Sequence, residues 1–309
     1  MLAVLSPGQG SQKPGFLIPW LEIPGARERL TAWSALAGVD LVHLGTDADA
    51  EEIKDTARTQ PLLIAAALLA AEQLPLEQVG VVAGHSVGEL GAAAAAGVLT
   101  PEDAITLAGV RGREMAAACA LEPTGMSAVL GGDPDEVIAT IEKHGLYAAN
   151  RNGAGQVVAA GARDALAEFA ATPPAKARVI PLAVAGAFHT PFMAPAETAL
   201  AAVAKNTAVT DPARALLSNL DGTAVASGRE MLDRLVRQIT AGVRWDLCMG
   251  TLKDLGVTAV IELPPAGTLA GLVKRELKGA GAPEIVTLNT PDDLPAARDL
   301  IARHATPQH

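Results

Sequence analysis

Residues 84–88, Gly-His-Ser-Val-Gly, set Ser86 between two glycines, after the apolar run "QVGVVAG" and before an alanine-rich one. A G-x-S-x-G of this kind suits a nucleophile. A sharp strand-to-helix turn exposes the hydroxyl, and the glycines remove side chains that would collide there. The first N–H groups of the following helix point at any oxyanion formed beside the serine. The alternative is a structural turn, because glycine-serine turns are common. The strand expected before Ser86 and the helix expected after it favour the nucleophile.

A serine hydroxyl needs a base, and the chain has six histidines. His304 and His309 lie in the tail, while His43 and His144 sit in polar surroundings near element ends. His85 adjoins Ser86, but on a sharp turn neighbouring side chains diverge, so it is expected to face away. His189, in "LAVAGAFHTPF", remains, either as the base or as a hydrogen-bonded core residue.

Arg111 falls on the apolar stripe of a helix expected over 101–120, whose positions 104, 107, 108, 111 and 115 are Ala, Leu, Ala, Arg and Met. A buried guanidinium needs an anion to offset its desolvation. Either an internal Asp or Glu supplies it, or a substrate carboxylate does, held by the planar fork. The glycine loop "PGQGSQ", residues 7–12, lacks the Gly-Lys-Ser/Thr ending of a phosphate loop and does not spell G-x-G-x-x-G. A backbone N–H at Gln9, paired with that of Val87, would instead complete an oxyanion hole.

The elements that must position these residues alternate. Over the first 124 residues, strands at 3–5 and within "QVGVVAG" are interleaved with helices near 27–37, 60–72, 87–97 and 101–120. That is the pattern of a parallel sheet covered by helices. Between 126 and 182 the order becomes strand-helix-strand-strand-helix-strand, a ferredoxin-like unit whose first helix opens with Asp133 and Pro134. After about residue 188 the alternating style returns, with strands in "RALLSN" and "VTAVIELP" and helices near 195–205, 230–241, 245–255 and 269–277. The larger unit is therefore discontinuous, and a cleft is expected where the two meet.

Bulk properties limit what that cleft binds. The 309 residues carry 24 Lys+Arg against 34 Asp+Glu, a formal net charge of −10, which disfavours nucleic acid as the main ligand. Cys119 and Cys248 have no paired spacing, so no disulfide framework or zinc site is expected, which suits the cytoplasm. The apolar stretches 62–71 and 90–99 are about half the length a spanning helix needs, and "MLAVL" is too short for a signal peptide, so a soluble protein is expected.

Taken together these residues resemble the malonyl-CoA:acyl carrier protein transacylase family, also seen as the acyltransferase domains of fatty acid and polyketide synthases. The likeness runs in order through "PGQGSQ", "TQPLLIAA", "GHSVGE", "VRGREM", "GMSAVLGG", "ANRNGAGQVVAAG", "GAFHT", "SNLDG" and "VRWD". Three features depart from it: "ELPPAGTL" replaces a glycine-rich turn, Gly242 stands where a proline is common, and the segment between Glu72 and Val79 is short. The resemblance implies an α/β fold: an α/β-hydrolase-like large subdomain with a parallel sheet, over 1–124 and 188–309, and an inserted ferredoxin-like small subdomain over 125–187.

Carried over residue by residue, the resemblance makes Ser86 the acyl-accepting nucleophile, His189 the general base, and Gln9 and Val87 the oxyanion-hole pair. Arg111 would pair with the free carboxylate of malonyl, in a pocket also lined by Gln60. The backbone carbonyl of Gln238 would orient the histidine in place of a triad carboxylate. Phe188 matches the bulky residue of malonyl-selective members, and Asn150 and Asn152 would border the cleft. The implied reaction is a ping-pong transfer of malonyl from coenzyme A to the phosphopantetheine thiol of acyl carrier protein, by a cytoplasmic monomer without metal or redox cofactor. No nucleic acid or membrane takes part. Arg237, Lys274, Arg275 and Lys278 are candidates for a patch facing the acidic carrier protein, or else ordinary solvated charges. Two rivals stay open: a serine hydrolase using the same elbow, and a non-catalytic module that binds carrier protein.

Overall fold

The computed structural model describes residues 1–305, so His309 lies outside the described residues. In chain order the strands and helices are β1 (Leu2–Ser6), α1 (Ala26–Ala37), α2 (Leu41–Thr46), α3 (Thr56–Ala71), β2 (Val81–Gly84), α4 (Gly88–Ala95) and α5 (Pro101–Cys119). Then come β3 (Thr124–Gly131), α6 (Pro134–Lys143), β4 (Tyr147–Gly153), β5 (Gln156–Ala162), α7 (Arg163–Ala171) and β6 (Ala177–Pro181). The chain continues through α8 (Ala194–Ala204), β7 (Ala215–Leu216), α9 (Gly228–Arg237), β8 (Val243–Arg244) and α10 (Trp245–Asp254). It closes with β9 (Ala259–Glu262), α11 (Thr268–Glu276), β10 (Glu284–Thr287) and α12 (Leu294–His304).

The first sheet is all parallel, in the order β10-β9-β1-β2-β7. Its inner strands are buried on both faces, as an apolar run under helices on either side must be. The second sheet runs β6-β3-β5-β4-β8. Its first four strands are antiparallel neighbours with α6 and α7 in the connections, the ferredoxin-like arrangement expected from sequence. Asp133 caps α6 by accepting from the Asp135 and Glu136 amides, with Pro134 in the first turn. The fifth strand, β8, comes from outside residues 125–187 and pairs in parallel with β4 at Asn150 and Arg151. The second sheet is thus tied directly to the segment that follows α9.

Small side chains decide how closely the helices approach. A Cβ at Gly112 would lie 2.8 Å from the Thr56 carbonyl oxygen, so only glycine lets α5 settle on the first turn of α3. That approach brings the neighbouring Arg111 onto Gln60. Among the described residues no helix is long and apolar enough to cross a membrane.

Candidate active site

β1 and β2 are neighbours in register, Ser6 opposite Gly84, so the loops leaving their carboxyl ends lie side by side. Ligands collect at this edge of a parallel sheet. The turn after β2 is sharp: Ser86 has φ 54, a region L side chains rarely adopt. A Cβ on Gly84 would overlap the Gly88 main chain, and one on Gly88 would overlap the Ser6 carbonyl, which accounts for both glycines of the motif. The Ser86 amide donates to Asn219 Oδ1 at 2.8 Å, fixing the strained residue. The Val87 and Gln9 amides find no protein acceptor among the described residues, and Gln9 and Ser86 line one cleft.

His189, on the segment between β6 and α8, brings Nε2 to 2.7 Å from Ser86 Oγ. Its Nδ1 lies 2.7 Å from the main-chain oxygen of Gln238, at the C-terminal end of α9. A carbonyl only accepts, so Nδ1 carries the proton and Nε2 presents a lone pair to the serine hydroxyl. Burial, followed by the positive charge of Arg111, holds the imidazole pKa down at about 3. The ring is therefore neutral at physiological pH, in the state a base requires.

Arg111 is buried on the inward face of α5, as its helical position predicts. Its partners are neutral. Nη1 donates to Gln60 Oε1 at 2.6 Å, and Nη2 donates to Gln238 Oε1 at 2.8 Å and to Ser86 Oγ at 3.3 Å. No carboxylate forms an ion pair with it among the described residues, so the internal Asp or Glu partner left open by the sequence is not in contact. Burial lowers its pKa to about 10, with the charge of Glu89 acting the other way, and the guanidinium stays charged. A cation is thus held by amide oxygens beside a nucleophile.

The cleft above these groups has a volume of about 240 Å³. Asn150 from β4 and Phe188 form part of its wall, opposite α11. His85 lines the same cleft rather than leaving it. Its Nε2 is 2.8 Å from Asn152 Oδ1, and its ring meets Trp245 edge-on at 5.7 Å. Of the ten residues carried over as catalytic or substrate-binding, nine lie in the cleft or in the hydrogen-bonded shell beneath it, and the tenth, Val87, directly follows Ser86. Arg275, on α11, reaches the mouth of the cleft; Lys274, Lys278 and Arg237 are exposed on nearby or more distant surface.

Residues 5–297 match the family described as acyl transferase domain. The chain belongs to the acyl transferase family. It is 57% identical over 287 residues to the malonyl CoA-acyl carrier protein transacylase of Mycobacterium tuberculosis (strain ATCC 25618 / H37Rv), covering 91% of this chain and 95% of that relative. The crystal structure of MCAT from Mycobacterium tuberculosis superposes with a TM-score of 0.92 at 55% identity, over 96% of this chain and 99% of that one. A malonyl-transacylase solved in complex with a type II PKS acyl-carrier protein superposes with a TM-score of 0.87 at 29% identity, over 96% and 99% of the two chains.

The acyl transferase site also contains residues that sequence reading passed over. Asn219, fully buried after β7, joins Ser86 N to the Gly84 carbonyl, to which its Nδ2 donates at 2.7 Å. Glu89, on the first turn of α4, is buried below Gln238. The turn "ELPPAGTL" contains a cis Pro264–Pro265 bond, and Glu262 holds it by accepting from the amides of Gly267, Leu269 and Ala270 at 2.8, 2.9 and 2.8 Å. The carboxylate thereby caps the start of α11, the helix that lines one side of the cleft.

Proposed function

We propose that the chain is a malonyl-CoA:acyl carrier protein S-malonyltransferase. The observation that carries this reading is Arg111, a buried cation held only by neutral groups and 3.3 Å from Ser86 Oγ. A donor whose acyl group ends in a carboxylate would supply the missing anion within reach of the nucleophile. The names of the relatives supply malonyl-CoA and acyl carrier protein as donor and acceptor.

In this reading the malonyl carboxylate docks on Arg111. His189 Nε2 takes the Ser86 proton while Oγ attacks the thioester carbonyl, and the Gln9 and Val87 amides receive the oxyanion. The carbon–sulfur bond breaks, the imidazolium returns the proton to the sulfur, and coenzyme A leaves. The phosphopantetheine thiol of the carrier protein then gives its proton to His189 and attacks the malonyl-serine ester. The bond to Ser86 Oγ breaks, the imidazolium returns the proton to Oγ, and the carrier protein leaves with the acyl group. The enzyme works as a cytoplasmic monomer, with no metal, redox cofactor, nucleic acid or membrane taking part. Against hydrolysis stands the partner of His189, a main-chain carbonyl where hydrolases of this elbow place a carboxylate. His304, the other histidine considered late in the chain, is bound to Thr258 Oγ1 at 2.9 Å.

The test is mass spectrometry of the Ser86 peptide after brief exposure to malonyl-CoA. The expected mass gain is one malonyl group, lost when phosphopantetheinylated carrier protein is added and retained in water alone. Release without carrier protein would make the chain a hydrolase, and an unlabelled Ser86 would make it a binding module.

Phe188 sharpens the reading. Its ring lines the cleft beside His189, where it would crowd a methyl at C2 of the acyl group. Methylmalonyl-CoA is expected to have a kcat/KM roughly 10- to 200-fold below that of malonyl-CoA, the range that one methylene commands. Equal specificity constants would remove Phe188 from the selectivity argument.

A further inference from the structure

Glu89 is a carboxyl with almost no exposure on an otherwise apolar helix turn, followed in α4 by Leu90, Ala92, Ala93 and Ala95. No arginine or lysine touches it among the described residues. Burial pushes its pKa up to about 8, against the Asn219 amide, the charge of Arg111 and the Gln238 side chain, which act to lower it. An apolar residue would fill the space at less cost, so what the carboxylate holds in place explains its presence.

It holds two donors. One oxygen accepts the Asn219 backbone N–H, and the other accepts Gln238 Nε2. The Gln238 amide stands at a crossing. Its Nε2 also faces Asn219 Oδ1 at 3.2 Å and the Ser86 carbonyl at 3.2 Å, leaving Oε1 for Arg111 Nη2 at 2.8 Å. A reversed amide would set its NH2 against the guanidinium and its oxygen against three other oxygens. The Glu89 oxygen is one of those three, and because its other oxygen is tied to the Asn219 amide it cannot turn aside to relieve the clash.

We propose that Glu89 is a positioning residue for acyl-group recognition: through the Gln238 side chain it fixes the Arg111 fork toward Ser86, and so sets the preference for a carboxylate-bearing acyl donor. The role is separable from general-base chemistry, because His189 is oriented by the main-chain oxygen of Gln238 and not by its amide. The inference rests on the malonyl-transfer reading.

The experiment compares wild type with Glu89→Gln, an isostere that turns one acceptor into a donor. Both are measured with malonyl-CoA and acetyl-CoA as donors and carrier protein as acceptor, with thermal unfolding alongside. The expected result is a malonyl-CoA KM raised roughly tenfold or more, the loss of about one buried hydrogen bond. The kcat for malonyl transfer and the acetyl-CoA constants should stay within about threefold, a difference below that one-bond scale. Gln238→Met, which removes the amide but keeps the main-chain carbonyl, should lower the malonyl-to-acetyl ratio similarly, and the double variant should lower it no further. If Glu89→Gln does not fold, Glu89→Asp is read in its place by the same ratio. A folded variant whose ratio is unchanged overturns the proposal. So does an equal loss with both donors accompanied by a lower Tm, which is what a purely structural carboxyl would give. Wild type keeps the two readings apart: the malonyl reading fails in wild type itself, the positioning role only in the variants.

Discussion

Ser86→Ala is expected to abolish covalent acylation and to lower malonyl transfer by roughly 10⁴- to 10⁶-fold, the scale seen when a member of a nucleophile–base unit is removed. Several contacts converge on this one residue: His189 Nε2 at 2.7 Å, Arg111 Nη2 at 3.3 Å, and an amide anchored to Asn219. The substitution keeps Cβ, so the φ 54 backbone and the packing of Gly84 and Gly88 are undisturbed. The variant should therefore fold normally and still bind malonyl-CoA, which separates loss of the nucleophile from loss of the cleft. The check is intact-protein mass spectrometry after incubation with malonyl-CoA. A malonylated Ser86→Ala protein would move the nucleophile elsewhere.

Arg111→Ala has the next largest expected effect, and it depends on the donor. Two charge-assisted hydrogen bonds to a carboxylate are worth about 1.5–3 kcal/mol each. The malonyl-CoA kcat/KM should therefore fall roughly 10²- to 10⁴-fold. Acetyl-CoA offers no carboxylate and should be used as well as before, or better, since a charge near His189 has gone; that charge is one of the causes depressing the imidazole pKa. The Gln60 and Gln238 amide oxygens lose a partner, so a lower Tm is expected as well. That stability loss bears on both donors alike, whereas the ratio between them reports recognition alone. Arg111→Lys should restore little, because a point charge does not reproduce the planar fork. A folded Arg111→Ala enzyme with an unmoved malonyl-to-acetyl ratio would show that the carboxylate is read by another group.

The residues of the site that were legible in the sequence carry a local physical signature. Ser86 stands in a glycine frame that suits a tight turn, and helical periodicity alone puts Arg111 on a buried face. Glu89 carries a similar signature, an ionisable group on the inward side of an apolar helix, but an acidic residue in a first helical turn also reads as an ordinary helix-start charge. Asn219 had no such mark: its role depends on β7 lying beside β2, a long-range pairing that no window of sequence contains. The same holds for β8, whose two residues are too few to show a period of two. The helix α12 was within reach. Leu294, Ala297, Leu300 and Ile301 recur at helical spacing and are buried, but the charged residues between them read as a tail. His304, assigned to that tail, is on the last turn of α12.

The position of β1 has a consequence for how the chain acquires its shape. β1, made before the strands on either side of it, is the middle strand of the five, flanked by β2 on one side and β9 on the other. Leu2 pairs with Ala259, so one edge of this largely apolar strand stays open until β9 has been made. At ordinary synthesis rates of about 5–20 residues per second that wait is roughly ten seconds or more. Pairings so distant in sequence also close slowly. During that interval the strand, and with it the loop that carries Gln9, has to be shielded by the early helices or by chaperones. The β1 segment is therefore exposed to aggregation in nascent chains, and truncated products ending before residue 259 should be cleared rather than accumulate as partial enzymes.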